Sequence, residues 1–392
     1  MTNFNLNEKL INQQKKFNIR NKKLKSLNYQ KKLERRQNDN EKNSKIKRMV
    51  TFYDFIENGK TGKPKFMYPS AYIGESILDF DFNLRIGLNS DHLKMIKEGD
   101  KLVNLKYENL DLDKVKIVVF DYQEDKVNEK NCSNRWKIFG KLKEICNFIK
   151  KNYKNIEIFN DINKHDLITD SYVQYNALKN TKFIVTPKFS ISNDFLKDNN
   201  NYPLIVSNRC QSGGKNKNLF KRKNDIKISD YRGKHDKIFV KFYKSIIPDT
   251  DYTISLRLMI VNNILTGYII RSSNKEWNIH NSDNSWDNYK IIIKTNNYID
   301  NFLYENSKYV KSYLDESYAI FGNGLYHHDV LLTDNKFILC EVGYKAIDNK
   351  WLELANSNAK VRNLYKNRIH NDCSKRYEIK DSLKKIFKNL IN

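Results

Sequence analysis

The stretch Leu325–Lys345, LYHHDVLLTDNKFILCEVGYK, constrains this chain more than any other. Two apolar runs, Val330–Leu332 and Phe337–Cys340, flank the turn-forming pair Asp334-Asn335, which predicts a β-hairpin. Asp329 and Glu341, twelve residues apart, sit at its outer ends. Strands joined by a tight turn bring such ends opposite each other, within reach of one cation. A surface hairpin with two solvated acids has the same pattern, so the remaining landmarks have to decide between the two. His327 and His328 precede Asp329 and suggest a transition-metal set. Neighbours on a strand point to opposite faces, however, so at most one of them shares the side of Asp329.

The 392 residues suffice for a large core and two or three subdomains. No run of about 18 apolar residues is present, so no membrane span is expected. The start, MTNFNLNEKL, lacks the pattern of a secretory signal. Five widely spaced cysteines without a Cys-x-x-Cys pair suit a reducing, cytoplasmic setting and neither a disulfide framework nor a zinc site. A formal charge of +25 invites a nucleic-acid reading. Yet the chain is also rich in Asn, Ile, Tyr and Phe, with only 13 Gly and 5 Pro. An AT-rich coding sequence produces that bias and raises lysine with no partner involved. Positive potential equally suits a phosphate-bearing substrate.

Residues 1–50 form a segment of their own, dominated by lysine and arginine, without Gly or Pro, with Leu10, Phe17 and Leu24 at seven-residue spacing. They read as a basic helical or disordered arm with a possible polyanion contact. Residues 51–110 stay unassigned, and Gly59-Lys60-Thr61-Gly62-Lys63-Pro64 lacks the spacing of a P-loop. Over 111–190 the pattern is α/β. Strand Lys116–Phe120, the helical face Ile138, Phe139, Leu142, Ile145, Cys146 and Ile149, and strand Ile156–Phe159 imply a parallel unit. A short helix at Tyr172–Leu178 and a strand at Phe183–Pro187 follow. Over 191–392, strands are predicted at Pro203–Val206, Ile238–Tyr243, Tyr252–Val261 and Leu265–Ile270, the last two joined by Asn262-Asn263. Ile299, Phe302, Leu303, Val310 and Leu314 mark a helix, and Leu383–Leu390 a terminal basic one.

Ser212-Gly213-Gly214-Lys215 is a candidate phosphate-covering loop, since glycines let backbone N–H groups approach phosphate oxygens. Arg257 and Arg271 lie on the two strands of the Asn262-Asn263 hairpin, and guanidinium forks suit phosphate or carboxylate. Surface arginines and an ordinary glycine turn are the alternatives.

In order and spacing, the passages around Asn160, the glycine loop, YTISLRLMIVNNILTGYIIRSSNKEWNIHN and the carboxylate hairpin resemble the ATP-grasp superfamily, specifically glutathione synthetase-like ATP-dependent carboxylate–amine ligases. The resemblance implies an α+β ATP-grasp fold with a preceding small α/β unit (111–190), a lid at about 191–245 and the metal hairpin at 325–345. It further implies Mg2+ on Asp329 and Glu341, and ATP contacts from Arg209, Ser212, Gly213, Gly214 and Lys215. The hinge strand Phe239, Val240 and Lys241 would meet adenine, and Arg257 and Arg271 would be catalytic. Trp277, Asn278 and His280 would line a cleft for a small carboxylate and an amine. Three positions depart from the family pattern. Ser207 stands where a lysine is usual, with Arg209 close by as a substitute; Asp170-Ser171 stands where an earlier lysine is usual; and Gly343 replaces an asparagine. A degenerate module that binds nucleotide without ligation, or a basic nucleic-acid-binding protein, are the rival readings.

Overall fold

The computed structural model describes residues 49–53, 83–87, 93–107, 110–121, 132–210, 217–277, 285, 288–333, 336–344, 382–386 and 388–389. Residues 1–48 of the arm expected over 1–50 lie outside them, as does the 59–64 glycine–lysine stretch.

The first sheet is parallel. It is built from β1 (Met49–Tyr53), β2 (Asn83–Gly87), β5 (Ile117–Asp121) and β6 (Glu157–Phe159) in the order β2-β1-β5-β6. Between β2 and β5 the hairpin β3 (Leu93–Glu98) and β4 (Lys101–Tyr107) forms its own two-stranded sheet. Helix α1 (Cys132–Asn152) returns the chain from β5 to β6, and its Phe139, Leu142, Ile145, Cys146 and Ile149 are buried. β1 begins two residues inside the segment expected as an arm, because Met49 and Val50 are fully packed between β2 and β5.

Helices α2 (His165–Thr169) and α3 (Ser171–Leu178) follow β6. The strand expected at Phe183–Pro187 is absent. The N–H groups of Lys182, Phe183 and Ile184 donate to the Glu316 carboxylate at 2.7, 2.8 and 2.9 Å instead of joining a ladder. Only Val185 makes a bridge, to Ile338. The second sheet is antiparallel, with β7 (Phe189–Ser190), β8 (Leu204–Asn208), β9 (Asn218–Phe220) and β10 (Lys237–Lys241) in the order β7-β10-β8-β9. It has a small core of its own in Leu196, Leu204, Val206, Ile226 and Phe239.

The third sheet is antiparallel and joins two hairpins, β11 (Thr253–Val261) with β12 (Ile264–Ser273) and β13 (Leu325–Thr333) with β14 (Lys336–Gly343), in the order β12-β11-β13-β14. Asn262, at φ 56°, begins the first turn; its side-chain oxygen accepts the Gly324 N–H and its own N–H donates to the Gly324 carbonyl, tying that turn to the start of β13. The single helix expected around Ile299–Leu314 is two: α4 (Tyr289–Glu305) and α5 (Ser307–Phe321). Asn306 separates them, its backbone and side chain both donating to the Phe302 carbonyl. Their apolar faces cover one side of the third sheet. Phe302 packs edge-on to Phe337 with ring centroids 5.1 Å apart, and Tyr313 does so at 5.4 Å. Full burial of each such side chain contributes about 1.5–3 kcal/mol, and it fixes which side of the sheet remains for chemistry. Among the described residues, no helix is long and apolar enough to cross a membrane.

Candidate active site

The site lies on the side of the third sheet turned away from α4 and α5. Arg257 pairs with Asp329 across β11 and β13, and Asp329 pairs with Glu341 across β13 and β14. Directly opposed residues share a face, so Arg257, Asp329 and Glu341 form one row across three strands. Arg271 pairs with Ser255, two residues before Arg257, and so belongs to the same face.

Two β-bulges set this arrangement. Both hairpins turn tightly, with terminal pairs Val261↔Ile264 and Thr333↔Lys336. A regular ladder from Thr333↔Lys336 would oppose Asp329 to Cys340 and put Glu341 opposite His328, on the helix side. The register shift between Asp329 and Val330 moves Glu341 onto Asp329. Likewise, the shift between Met259 and Ile260 brings Arg271 opposite Ser255 instead of the core residue Ile254. One extra residue moves every side chain beyond it to the other face. Thr266, the extra residue of β12, holds its place by donating its hydroxyl to the Met259 carbonyl at 3.0 Å.

The Arg257 guanidinium donates Nε to Asp329 Oδ1 at 2.7 Å and an Nη to Oδ2 at 2.8 Å, a fork-on-fork pair with side-chain exposures of 12% and 19%. Burial alone would raise the Asp329 carboxyl. The charge and hydrogen bonds of Arg257, with His327 and Arg271 adding to them, outweigh it and hold the group far below the usual carboxylate range. Asp329 is therefore a fixed anion. Of the two histidines, His327 shares its face, whereas His328 points to the helices: its ring meets the Tyr313 hydroxyl at 2.8 Å and the Ser317 hydroxyl at 3.3 Å. Burial pushes His328 down to about 3 against the opposing charge of Asp329, so it is neutral packing.

Among the described residues no three His, Cys, Asp or Glu side chains converge as a metal cage. Two opposed carboxylates suit Mg2+ nonetheless, since that ion commonly takes one or two protein carboxylates and completes its shell with water and substrate phosphates. Arg257 already places a cation on both oxygens of Asp329. Asp329 and Glu341 are the opposed oxygen donors that could hold such an ion, which would have to share Asp329 with Arg257. Gly343, opposite His327, adds no side-chain ligand.

The other expected residues fall in four groups. Arg209 is held by Asp170 through Nε–Oδ1 at 3.2 Å and Nη2–Oδ2 at 2.6 Å, and lies 5.0 Å from the Tyr172 ring centre. Phe239 and Val240 of the expected hinge lie in β10. β10 is an inner strand, paired with β7 on one side and β8 on the other, so its ladder has no free edge there, and the Phe239 side chain fills the lid core. Lys241 lies half-buried at the end of that strand, its N–H donating to the Lys188 carbonyl at 2.8 Å. Trp277 is half-buried beyond β12. Ser212, Gly213, Gly214, Lys215, Asn278 and His280 lie outside the described residues.

Sequence reasoning missed the clamp behind β14. The Tyr175 hydroxyl donates to the Cys340 carbonyl at 2.7 Å, and Gln174 Oε1 accepts the Val342 N–H at 3.2 Å. These two α3 residues brace the backbone on both sides of Glu341. Their burial beside a short helix carries no sequence signature.

An α/β unit, an antiparallel lid and a carboxylate-bearing sheet backed by two helices together make the ATP-grasp fold. The chain has that fold. It superposes on the ATP-grasp ligase PsnB, solved with a minimal precursor, at a TM-score of 0.51 and 6% identity, covering 85% of this chain and 98% of that one. It is also similar to a RimK-domain ATP-grasp protein from Sphaerobacter thermophilus, at 9% identity and a TM-score of 0.43 over 85% of this chain and 99% of that one. D-alanine–D-alanine ligase from Bacillus anthracis matches at 10% identity and 0.44, over 88% and 99%. No family model matches the chain, and no curated protein matches its sequence.

Proposed function

We propose that this protein is an ATP-dependent ligase that activates a carboxylate for attack by an amine. One observation carries the reading: Arg257, Asp329 and Glu341 form a single row, with Arg271 on the same face. Two acids and two guanidinium groups on one side of a sheet are the parts that phosphoryl transfer to a carboxylate requires. Such transfer is mainly positioning and charge neutralisation.

In this reading ATP binds between the lid and the third sheet. The substrate carboxylate oxygen attacks the γ-phosphorus, the bond to the β,γ-bridging oxygen breaks, and ADP leaves. The amine then attacks the acyl phosphate carbon, releasing phosphate and losing a proton to solvent or a base. Arg271, buried and paired with the strand that carries Arg257, steadies the transferring phosphoryl group. Arg257 exchanges one Asp329 oxygen for a phosphate oxygen. Mg2+, when bound, supplies charge neutralisation between Asp329, Glu341 and the phosphates. PsnB was solved with a peptide precursor, which makes peptide side-chain carboxylates a substrate class to include.

Hydroxylamine trapping tests the reading, because an acyl phosphate yields a stable hydroxamate. Incubation with ATP, Mg2+ and a panel of free acids and acidic peptides should give hydroxamate and ADP in equal amounts. Arg271→Ala should lower that rate by about 100-fold or more. ATP binding with no hydroxamate from any acid favours the second reading, a nucleotide-binding module without ligation. Gly343 in the asparagine position and Asp329 engaged by Arg257 are the observations that keep that reading open.

A further inference from the structure

β14 is an edge strand of the third sheet, so its outward peptide groups need partners from elsewhere. The segment between β6 and β7 supplies them in turn. The Leu339 N–H donates to the Val185 carbonyl at 2.8 Å, the Cys340 carbonyl accepts the Tyr175 hydroxyl at 2.7 Å, and the Val342 N–H donates to Gln174 Oε1 at 3.2 Å. The last two bonds lie on either side of Glu341. Cys340 is also the residue that the register skips, since Val330 pairs with Leu339 and Asp329 with Glu341. It is therefore the extra residue of the bulge that turns Glu341 onto the face of Asp329. Such a residue has no ladder partner of its own, and a slip of one position would carry Glu341 to the helix side.

Tyr175 and Gln174 are themselves held in place. Both are buried, and Gln174 Nε2 donates to the Leu167 carbonyl at 2.7 Å, which leaves Oε1 as the atom that faces Val342. Helix α3, which carries them, is capped by Asp170 through the Tyr172 and Val173 N–H groups, and the same carboxylate receives Arg209 in two bonds. Phe189 of β7 packs on Tyr172 and Tyr175, with ring centroids 5.9 and 5.2 Å apart. The brace on β14 thus stands on a helix fixed at its first turn and packed along its side.

We propose that Tyr175 and Gln174 are positioning residues for Glu341, fixing through the Cys340 bulge the face and aim of the carboxylate that meets Mg2+ with ATP. The proposal rests on the reading above of Glu341 as a metal ligand. Asp329 has both oxygens engaged by Arg257, so a cation arriving there depends on where Glu341 stands. Tyr175 and Gln174 act on the main chain on both sides of that residue, as partners behind a ligand commonly do, and they take no part in the reacting atoms.

Calorimetric titration of the full chain with ATP, once in Mg2+ and once in EDTA, tests it, because the ratio of the two affinities isolates the metal's share. Tyr175→Phe keeps the ring against Phe189 and removes only the hydroxyl. It should lose about tenfold of the tightening that Mg2+ gives wild type, with the affinity in EDTA within about threefold. Gln174→Met should lose part of that tightening by itself, and it carries the test if Tyr175→Phe does not melt cooperatively. Tyr326→Phe is the control. It deletes a likewise buried hydroxyl from another backbone carbonyl, that of Phe321 at 2.8 Å, and should melt lower with the Mg2+ ratio unchanged. A wild-type ratio in both α3 variants overturns the assignment, as does an equal drop in Tyr326→Phe or a loss of the same size in EDTA. Wild-type protein that binds no ATP, or binds it no tighter in Mg2+, overturns the reading of Glu341 as a metal ligand, and the proposal with it.

Discussion

Arg257 and Asp329 show how one ion pair serves structure before any substrate arrives. Each would be costly alone in this largely buried setting, and each satisfies the other through two parallel hydrogen bonds. Removing only the cation leaves an uncompensated, largely buried anion. Arg257→Ala should therefore destabilise the fold by about 3 kcal/mol, and adding Asp329→Asn should recover a large part of that loss. Urea unfolding of the two variants checks this; equal stability of Arg257→Ala and wild type would mean that water, not the protein, compensates Asp329. Arg271 contributes charge to the same carboxylate from a more buried position, which makes it the less mobile of the two arginines.

Among the elements, the junction after β6 couples the first sheet to the third. Asn160, at φ 52°, accepts the Leu325 N–H at 2.9 Å and donates its own N–H to the Asn323 carbonyl, so the end of β6 positions the start of β13. Asparagine tolerates that left-handed conformation where most residues are strained. The next residue, Asp161, accepts Lys150 Nζ at 2.5 Å, the Cys146 thiol at 3.3 Å and the Asn163 N–H at 3.0 Å, locking α1 to the same junction. Burial by itself would raise the Asp161 carboxyl, but the Lys150 and Asn163 hydrogen bonds and the Lys150 charge hold it below its ordinary value. The unfolded chain then binds that proton more readily than the folded one. The stabilisation is present above the ordinary aspartate value, about 3.9, and is lost as pH falls through the depressed folded value. Stability measured by urea unfolding should fall as acid is added below about pH 4, and less steeply in Asp161→Asn. An identical acid slope in that variant would place the loss in other carboxylates.

For the molecule as a whole, the first sheet sets where the chain can be shortened. β1 is an inner strand, with Val50 and Phe52 fully buried between β2 and β5. Removing residues 1–45, polar and carrying only a thin apolar stripe, should leave the melting temperature nearly unchanged. Removing residues 1–53 takes the inner strand with it and should unfold the α/β unit, as read by loss of cooperative melting. Loss of folding in the shorter truncation would mean that Leu10, Phe17 and Leu24 pack on the body. The lid has a core separate from the rest and is tied to its neighbours by Arg209–Asp170 and, on the surface, by Lys221–Glu276 at 2.8 Å. Exposed pairs of the second kind contribute little, so the tie is carried by the Arg209 contact together with Phe189 of β7 packed on Tyr172 and Tyr175 of α3.

The order of elements was legible in the chain because alternation and helical spacing are local properties. The α1 face, the Asn262-Asn263 turn and the carboxylate hairpin could all be read from neighbours a few residues apart. Legibility ended where a distant residue redirected the backbone. Glu316 draws three N–H groups out of the strand expected at Phe183–Pro187, and Asn306 divides what looked like one helix. The site followed the same rule. Residue types and spacing by themselves determined that Asp329 and Glu341 would end a hairpin and that two arginines would flank a turn. Which face those side chains take was decided only by the tertiary structure, through a bulge in each hairpin. A side-chain period of two makes face a matter of a single residue, and the packing of α4 and α5 on the opposite side of the sheet selects the register in which the charges stay out of the core.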